Sequence, residues 1–177
     1  ENSVKIAEAC DVQLSLGANH APLVRVKVPD AKDLPKHDDP KYGGDLTAWY
    51  KDYCSKFELS PFRSENGEAQ TDAVRASVKA DCDRALRLLA EGGFVWRYGR
   101  SPQVIASPAN AEETSQNDKV ARLERELKIL ADKNISAYFL IVWDFVNWGR
   151  SNGVPALARG SGVGTMVGYV LGLSNAC

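Results

Sequence analysis

The chain has 177 residues, 44% apolar and 25% charged, with a net charge of -1 and a mean hydropathy of -0.30. That length supports one ordinary domain with a real core. The charge balance gives no support for nucleic-acid binding through bulk electrostatics, although a local patch is not excluded. No apolar run reaches the ~18 residues of a membrane span, and no secretory leader is visible.

The only methionine is Met166, so the chain is read as a piece of a larger protein. Ser3 to Cys10 reads as a short helix, and Val12-Gln13-Leu14-Ser15-Leu16 alternates like a strand. Residues 18–44 carry four of the eight prolines and a charged cluster, the composition of a linker or surface excursion. From Asp45 the apolar spacing of Leu46, Trp49, Tyr50, Tyr53 and Phe57 predicts a helix with an aromatic core face. Residues 58–70, with Pro61 and Gly67, read as a loop.

Thr71 or Asp72 is placed to cap the next helix. Its apolar face is Val74, Val78, Cys82, Ala85, Leu86 and Leu89, and Gly92-Gly93 is expected to end it. Residues 101–116 read as another loop. Asp118 is the expected cap of a helix with Val120, Leu123, Leu127 and Leu130 inward and Arg122, Glu126 and Lys128 on a solvated face. Ile135 to Trp148 is apolar nearly all round and predicts a buried helix closed by Asn152-Gly153. Val154 to Ala158 then reads as a short strand and Val163 to Leu173 as a final helix. Gly164, Gly168 and Gly172 fall every fourth residue there, a row suited to close packing.

The four cysteines, Cys10, Cys54, Cys82 and Cys177, lack the short spacings of zinc or redox sites and read as reduced thiols of a cytoplasmic protein. His20 and His37 sit in loop-like stretches, and two histidines cannot build a multinuclear metal centre. Asp144 is isolated in its apolar helix. It is expected to pair with an arginine or cap a neighbour rather than act in catalysis.

The most suggestive segment is Ala158-Arg159-Gly160-Ser161-Gly162-Val163-Gly164. A glycine-rich turn before a helix lets backbone amides approach an anion. Ser161 can cap the helix or donate to a phosphate, and Arg159 can add charge. It is not a Walker A loop, because no Gly-Lys-Ser/Thr follows. It is not a dinucleotide fingerprint either, because the acidic residue is missing. A packing turn explains the glycines equally well from this segment alone.

The surroundings carry a resemblance. Arg122-Leu123-Glu124-Arg125-Glu126-Leu127, Ala137 to Phe145, Asn152-Gly153-Val154-Pro155, Arg159-Gly160-Ser161-Gly162 and Gly168 to Leu173 follow in an order and spacing that resembles the bacterial DNA polymerase III alpha subunit, the C-family replicative polymerases. Asn2 to Cys10 is similar to that family's path out of its N-terminal PHP domain. The resemblance implies an α+β fold: a mainly helical fragment with a few short strands, belonging to a polymerase-beta-like nucleotidyltransferase palm. It divides the chain into a PHP-to-palm connection over 1–44, a helical region with a lineage-specific insertion over 45–117, and the start of the palm over 118–177.

It further implies that Gly160 and Ser161, with Arg159, hold the triphosphate of an incoming dNTP. The catalytic aspartates, and with them the Mg2+ ions, are expected beyond Cys177, leaving this segment inactive alone. Primer-template DNA, a sliding clamp and other replisome subunits are the implied partners of the whole enzyme. Where the family usually has Gly-Pro-Gly before Arg-Gly-Ser, this chain has Ala156-Leu157-Ala158, which is expected to alter the turn. Two rivals stay open. One is a helical protein-interaction module without a nucleotide site, and the other is a different nucleotidyltransferase sharing the Gly-Ser device.

Overall fold

The computed structural model describes residues 2–10, 22–62 and 71–176. The strand expected at 12–16, His20 and Cys177 lie outside the described residues. In chain order the elements are α1 (Asn2–Ala9), β1 (Val24–Lys27), α2 (Leu46–Cys54), β2 (Glu58–Pro61), α3 (Asp72–Tyr98), α4 (Ala111–Asp132), α5 (Ser136–Ser151) and α6 (Met166–Val170). Short 3-10 turns lie at Ala31–Asp33, Pro40–Tyr42 and Ser161–Gly164. The α+β expectation holds: helices dominate, and the one sheet of the described residues is the antiparallel pair β1–β2. Among those residues no helix is long and apolar enough to cross a membrane.

Both strands fall where loops were expected. Each is four residues, too short for alternation to stand out between flanking prolines. Pairing sets Val24 opposite Pro61 and Lys27 opposite Glu58. Val24 turns inward, and its carbonyl accepts the Cys82 thiol from α3 at 3.3 Å. The sheet is therefore tied to the longest helix by a side chain rather than by a third strand.

Asp45 starts α2 as predicted, accepting from the amides of Thr47 and Ala48 at 2.8 and 3.0 Å. The helix ends at Cys54, and Phe57 is buried just past it. Trp49, Tyr50 and Tyr53 enter the core together. The Tyr50 and Tyr53 hydroxyls donate to the carbonyls of Leu89 and Leu88 on α3. An aromatic face thus buries its rings while its polar tips find acceptors, as burial requires. His37 is half-buried against the edge of Trp49, 5.7 Å between ring centres, rather than facing solvent as its loop context predicts.

Thr71 caps α3, but Gly92-Gly93 does not end it. The helix runs to Tyr98 and stops at Gly99, whose φ is +70°. The paired glycines serve proximity instead. A Cβ on Gly92 would lie 2.7 Å from the Tyr53 ring, and one on Gly93 would lie 2.1 Å from the Val170 carbonyl oxygen. With Phe94 and Val95 buried just beyond, tertiary packing outweighs the ~1 kcal/mol helix penalty of each glycine.

The cap of α4 is Asn110 rather than Asp118. Asn110 Oδ1 accepts from the Glu113 amide, and the Glu113 carboxylate accepts from the Ala109 amide. The preceding loop is pinned by side chains that mimic backbone. Asn117 pairs with both the amide and the carbonyl of Ile105, and buried Gln116 donates to the Gln103 carbonyl. Val120, Leu123, Leu127 and Leu130 face the core as predicted. Trp143 anchors α5 at 1% exposure, but Tyr138 (54%), Phe145 (70%) and Trp148 (63%) lie in solvent. The helix is therefore buried along one side, not all round.

Two outcomes follow for solution behaviour. Burial pushes the Cys54 thiol up to about 12 and the Cys82 thiol up to about 11, whereas Cys10 is exposed. At pH 7.5 a disulfide reagent is expected to modify Cys10 in the folded chain and to reach Cys54 and Cys82 only on unfolding. Peptide mapping of the labelled chain checks this, and rapid labelling of Cys54 would contradict it.

Asp52 accepts from the Tyr42 hydroxyl (2.6 Å), Lys56 and Lys41, and these bonds hold its carboxyl well below the usual carboxylate range. A carboxyl more acidic in the folded than in the unfolded chain stabilises above the unfolded value, and that contribution fades as pH falls through the folded value. Asp52→Asn is therefore expected to flatten the loss of stability between pH 5 and pH 2. Urea midpoints at the two pH values measure it.

Candidate functional site

After α5 the chain turns at Asn152-Gly153 and runs without regular secondary structure from Val154 to Arg159. No strand forms there. The backbone bonds that hold the run are Val154 N–H to Gly149 and Ala158 N–H to the Leu173 carbonyl, which cannot make a ladder. Ala156 packs on α5 at Gly149, where a Cβ would come within 2.8 Å of its own. The Ala156-Leu157-Ala158 variant is thus accommodated by a glycine across from it.

Gly160 then takes φ +115° and ψ -177°. That region is open essentially to glycine alone. The single helix expected over 163–173 is two pieces: the 3-10 turn Ser161–Gly164 and the five-residue α6, with Thr165 capping between them. Three glycines in eight residues lower helix propensity, and Thr165 competes for the amides. Thr165 Oγ1 accepts from Gly168 N–H and donates to the Gly162 carbonyl.

The glycine row is not one packing stripe. Gly168 lets the turn fold back, since a Cβ there would sit 2.7 Å from the Gly162 oxygen. Gly172, at φ +73°, meets the Arg150 guanidinium, and Gly164 faces open space.

Arg159, Gly160, Ser161 and Gly162 are all exposed and together form one wall of a cleft of about 560 Å³. Tyr138, Phe139 and Val142 of α5 form the facing wall. That volume suits a small molecule. The sequence motif is thus gathered on the rim of a concave, half-apolar space.

The first amides of α6 are already taken, Val167 by the Glu126 carboxylate at 2.9 Å and Gly168 by Thr165. The amides left without an acceptor in the 3-10 turn are those of Ser161 and Gly162, which open it. Arg159 makes no ion pair among the described residues.

No carboxylate lines this cleft. Among the described residues no three His, Cys, Asp or Glu side chains converge as metal ligands. The donor set at Arg159–Gly162 therefore does not fit a magnesium ion. Asp144 is exposed and outside the cleft, and makes no ion pair among the described residues, so the expected arginine partner is absent. Partial burial alone raises its carboxyl above the usual range.

Sequence reasoning missed Arg122 and Glu126, read as a solvated face. Both reach the loop: Arg122 donates to the Gly164 carbonyl at 2.9 Å, and Glu126 accepts from Val167. The one available signal was their i, i+4 spacing, which is also that of an ordinary surface ion pair.

Comparison with known proteins agrees with the earlier resemblance. The family model described as the bacterial DNA polymerase III alpha NTPase domain matches residues 84–177, more than half of the chain. The DNA polymerase III subunit alpha of Pseudomonas aeruginosa is 44% identical over 99% of this chain and 10% of its own length. That of Aquifex aeolicus is 28% identical over 80% of this chain and 12% of its own. The error-prone DNA polymerase of Anaeromyxobacter dehalogenans is 35% identical over 58% of this chain and 8% of its own.

The chain therefore spans about a tenth of the length of these curated relatives. No solved structure matches it. Taken with the glycine-rich loop on its cleft, the matches place the chain in the bacterial DNA polymerase III alpha family, with residues 84–177 in the part described as its NTPase domain.

Proposed function

We propose that this chain is the part of a DNA-directed DNA polymerase that seats the triphosphate of the incoming deoxynucleotide. The observation that carries the reading is the cleft wall itself. Arg159, Gly160 and Ser161 stand exposed on it, with the amides of Ser161 and Gly162 without acceptors inside the turn. Charge-assisted hydrogen bonds to such amides and to a guanidinium favour a phosphate group over neutral ligands. Gly160 keeps the backbone bare at the approach.

On this reading residues 1–44 lead out of a PHP domain, 45–117 form a helical region, and 118–177 begin the palm. The carboxylates that hold Mg2+ are assigned on this reading to a later segment of the polymerase, since none lines this cleft. Primer-template DNA, the sliding clamp and other replisome subunits are partners of the whole enzyme, in the cytoplasm. The isolated 177-residue chain is then expected to show no primer extension at any magnesium concentration. Extension by it would overturn the assignment of the acids to another segment.

The direct test uses a full-length polymerase carrying this sequence. Ser161→Ala is expected to raise the dNTP KM about tenfold, the effect of one lost charge-assisted hydrogen bond. Gly160→Val is expected to raise it further. Normal KM and kcat in both would refute the reading.

The exposed row Tyr138, Phe145 and Trp148 on α5 favours a second reading, a docking face for another protein surface. Unchanged kinetics in the loop variants, with activity lost in Phe145→Ser and Trp148→Ser, would favour it.

A further inference from the structure

We propose that Arg122 and Glu126 of α4 are positioning residues that aim the Ser161 and Gly162 amides at the nucleotide's phosphates. The inference rests on the triphosphate-seat reading above.

One guanidinium and one carboxylate close a ring around the junction between the 3-10 turn and α6. Arg122 donates from Nε to Glu126 Oε1 at 2.9 Å and from its terminal nitrogen to the Gly164 carbonyl at 2.9 Å. Glu126 Oε2 accepts from the Val167 amide at 2.9 Å. The carbonyl that ends the turn and an amide that begins α6 are therefore held from the same two side chains, one helical turn apart.

The remaining bonds of the loop are local. Thr165 bonds Gly162 and Gly168, and the Val163 amide donates back to Gly160. These shape the loop, and burial of Met166 and Val167 at 3% and 0% exposure ties its far end to the core. The Arg122–Glu126 ring adds a polar tie from the end of the turn to α4, which is anchored by Leu123 and Leu127, on the same turns of the helix, at 0% and 5% exposure.

Charge follows the same logic. A lone carboxylate beside a phosphate seat would repel the ligand. Glu126 is mostly buried in the ring, with a side chain 16% exposed, and its charge is matched by Arg122. The pair orders the loop without setting a net negative charge at its back. Neither residue lines the cleft, so neither touches the ligand.

The test is steady-state incorporation and primer-template binding by the full-length polymerase with Glu126→Gln, Arg122→Ala, Arg122→Lys, and the double variant. Glu126→Gln and Arg122→Ala are each expected to raise the dNTP KM about tenfold, as misaimed donors do. Primer-template Kd should stay unchanged and kcat should stay within about twofold, a pattern of lost ligand binding rather than lost chemistry. The double variant should be no worse than the worse single, because both break one ring. Arg122→Lys, which keeps the charge without the fork, should recover only part of the effect.

Ser161→Ala is measured alongside. If it raises KM while the α4 variants do not, the positioning role is wrong and the seat survives. If Ser161→Ala and the α4 variants all leave KM unchanged, the seat reading fails and the role goes with it. Parallel losses of Tm, kcat and primer-template affinity in the α4 variants, including Arg122→Lys, would assign the pair to folding alone and overturn the proposal.

Discussion

Gly93→Ala is expected to destabilise the chain by about 3 kcal/mol, more than any other single added methyl in the helices. At an exposed helical site the same change would gain about 1 kcal/mol, since alanine is the better helix former. Here the sign reverses. The new Cβ would meet the Val170 carbonyl oxygen at 2.1 Å and its carbon at 2.7 Å. Both are backbone atoms of α6, a helix whose Val167 and Val170 are fully buried, as is Leu171 just past its end. Neither helix can shift without opening the core, so the cost lies at or above the usual 1–3 kcal/mol range for overpacking.

Gly92→Ala is the internal comparison. Its Cβ would meet the Tyr53 ring at 2.7 Å, and a ring can turn where a carbonyl cannot. Urea unfolding should therefore rank Gly93→Ala well below Gly92→Ala in stability. Equal midpoints for the two would mean that α3 and α6 are not in backbone contact.

Gly160→Ala is expected to impair nucleotide use strongly, raising the dNTP KM by about ten- to a hundredfold, the scale of an ~1 Å misplacement. The cause is conformational rather than steric. A Cβ at Gly160 would meet nothing within 4 Å, yet φ +115° with ψ -177° is strained for any L side chain, at about 1–3 kcal/mol. The loop relieves that strain by leaving the conformation that presents the Ser161 and Gly162 amides. Stability should fall by no more than the strain itself, because the residue is exposed. A large KM effect with a modest shift in Tm is the expected signature in the full-length polymerase. A collapse of folding instead would show that Gly160 shapes the core.

The helices were legible wherever apolar periodicity and a cap agreed. Asp45 and Thr71 start α2 and α3, and the inward row of α4 is as the spacing predicts. What escaped is tertiary in origin. Gly92-Gly93 carries the composition of a helix stop, and only the arrival of Tyr53 and Val170 against it turns the pair into a packing device. The two strands are four residues each and exist through pairing 31 to 37 positions apart, from Lys27 against Glu58 to Val24 against Pro61. Asn110 with Glu113 did carry a capping pattern, hidden by a Ser- and Pro-rich stretch that reads as loop.

The glycine-rich motif was legible as residues and not as geometry. Arg159, Gly160 and Ser161 do share one cleft wall, but the proposed seat opens a 3-10 turn rather than a long helix. The α6 amides expected to face a ligand are spent on Thr165 and Glu126. The role of Glu126 could not be read from sequence, because a carboxylate on a charged helix face looks identical whether or not an amide lies across from it.

Hydrogen exchange at the Ser161 and Gly162 amides probes the seat most directly. The full-length polymerase, bound to primer-template, would be compared with and without a non-hydrolysable dNTP analogue and magnesium. Slowed exchange confined to residues 159–163, with residues 22–62 unchanged, is the predicted result. Exchange at those two amides that stays the same when saturating nucleotide is added would contradict a triphosphate bound there.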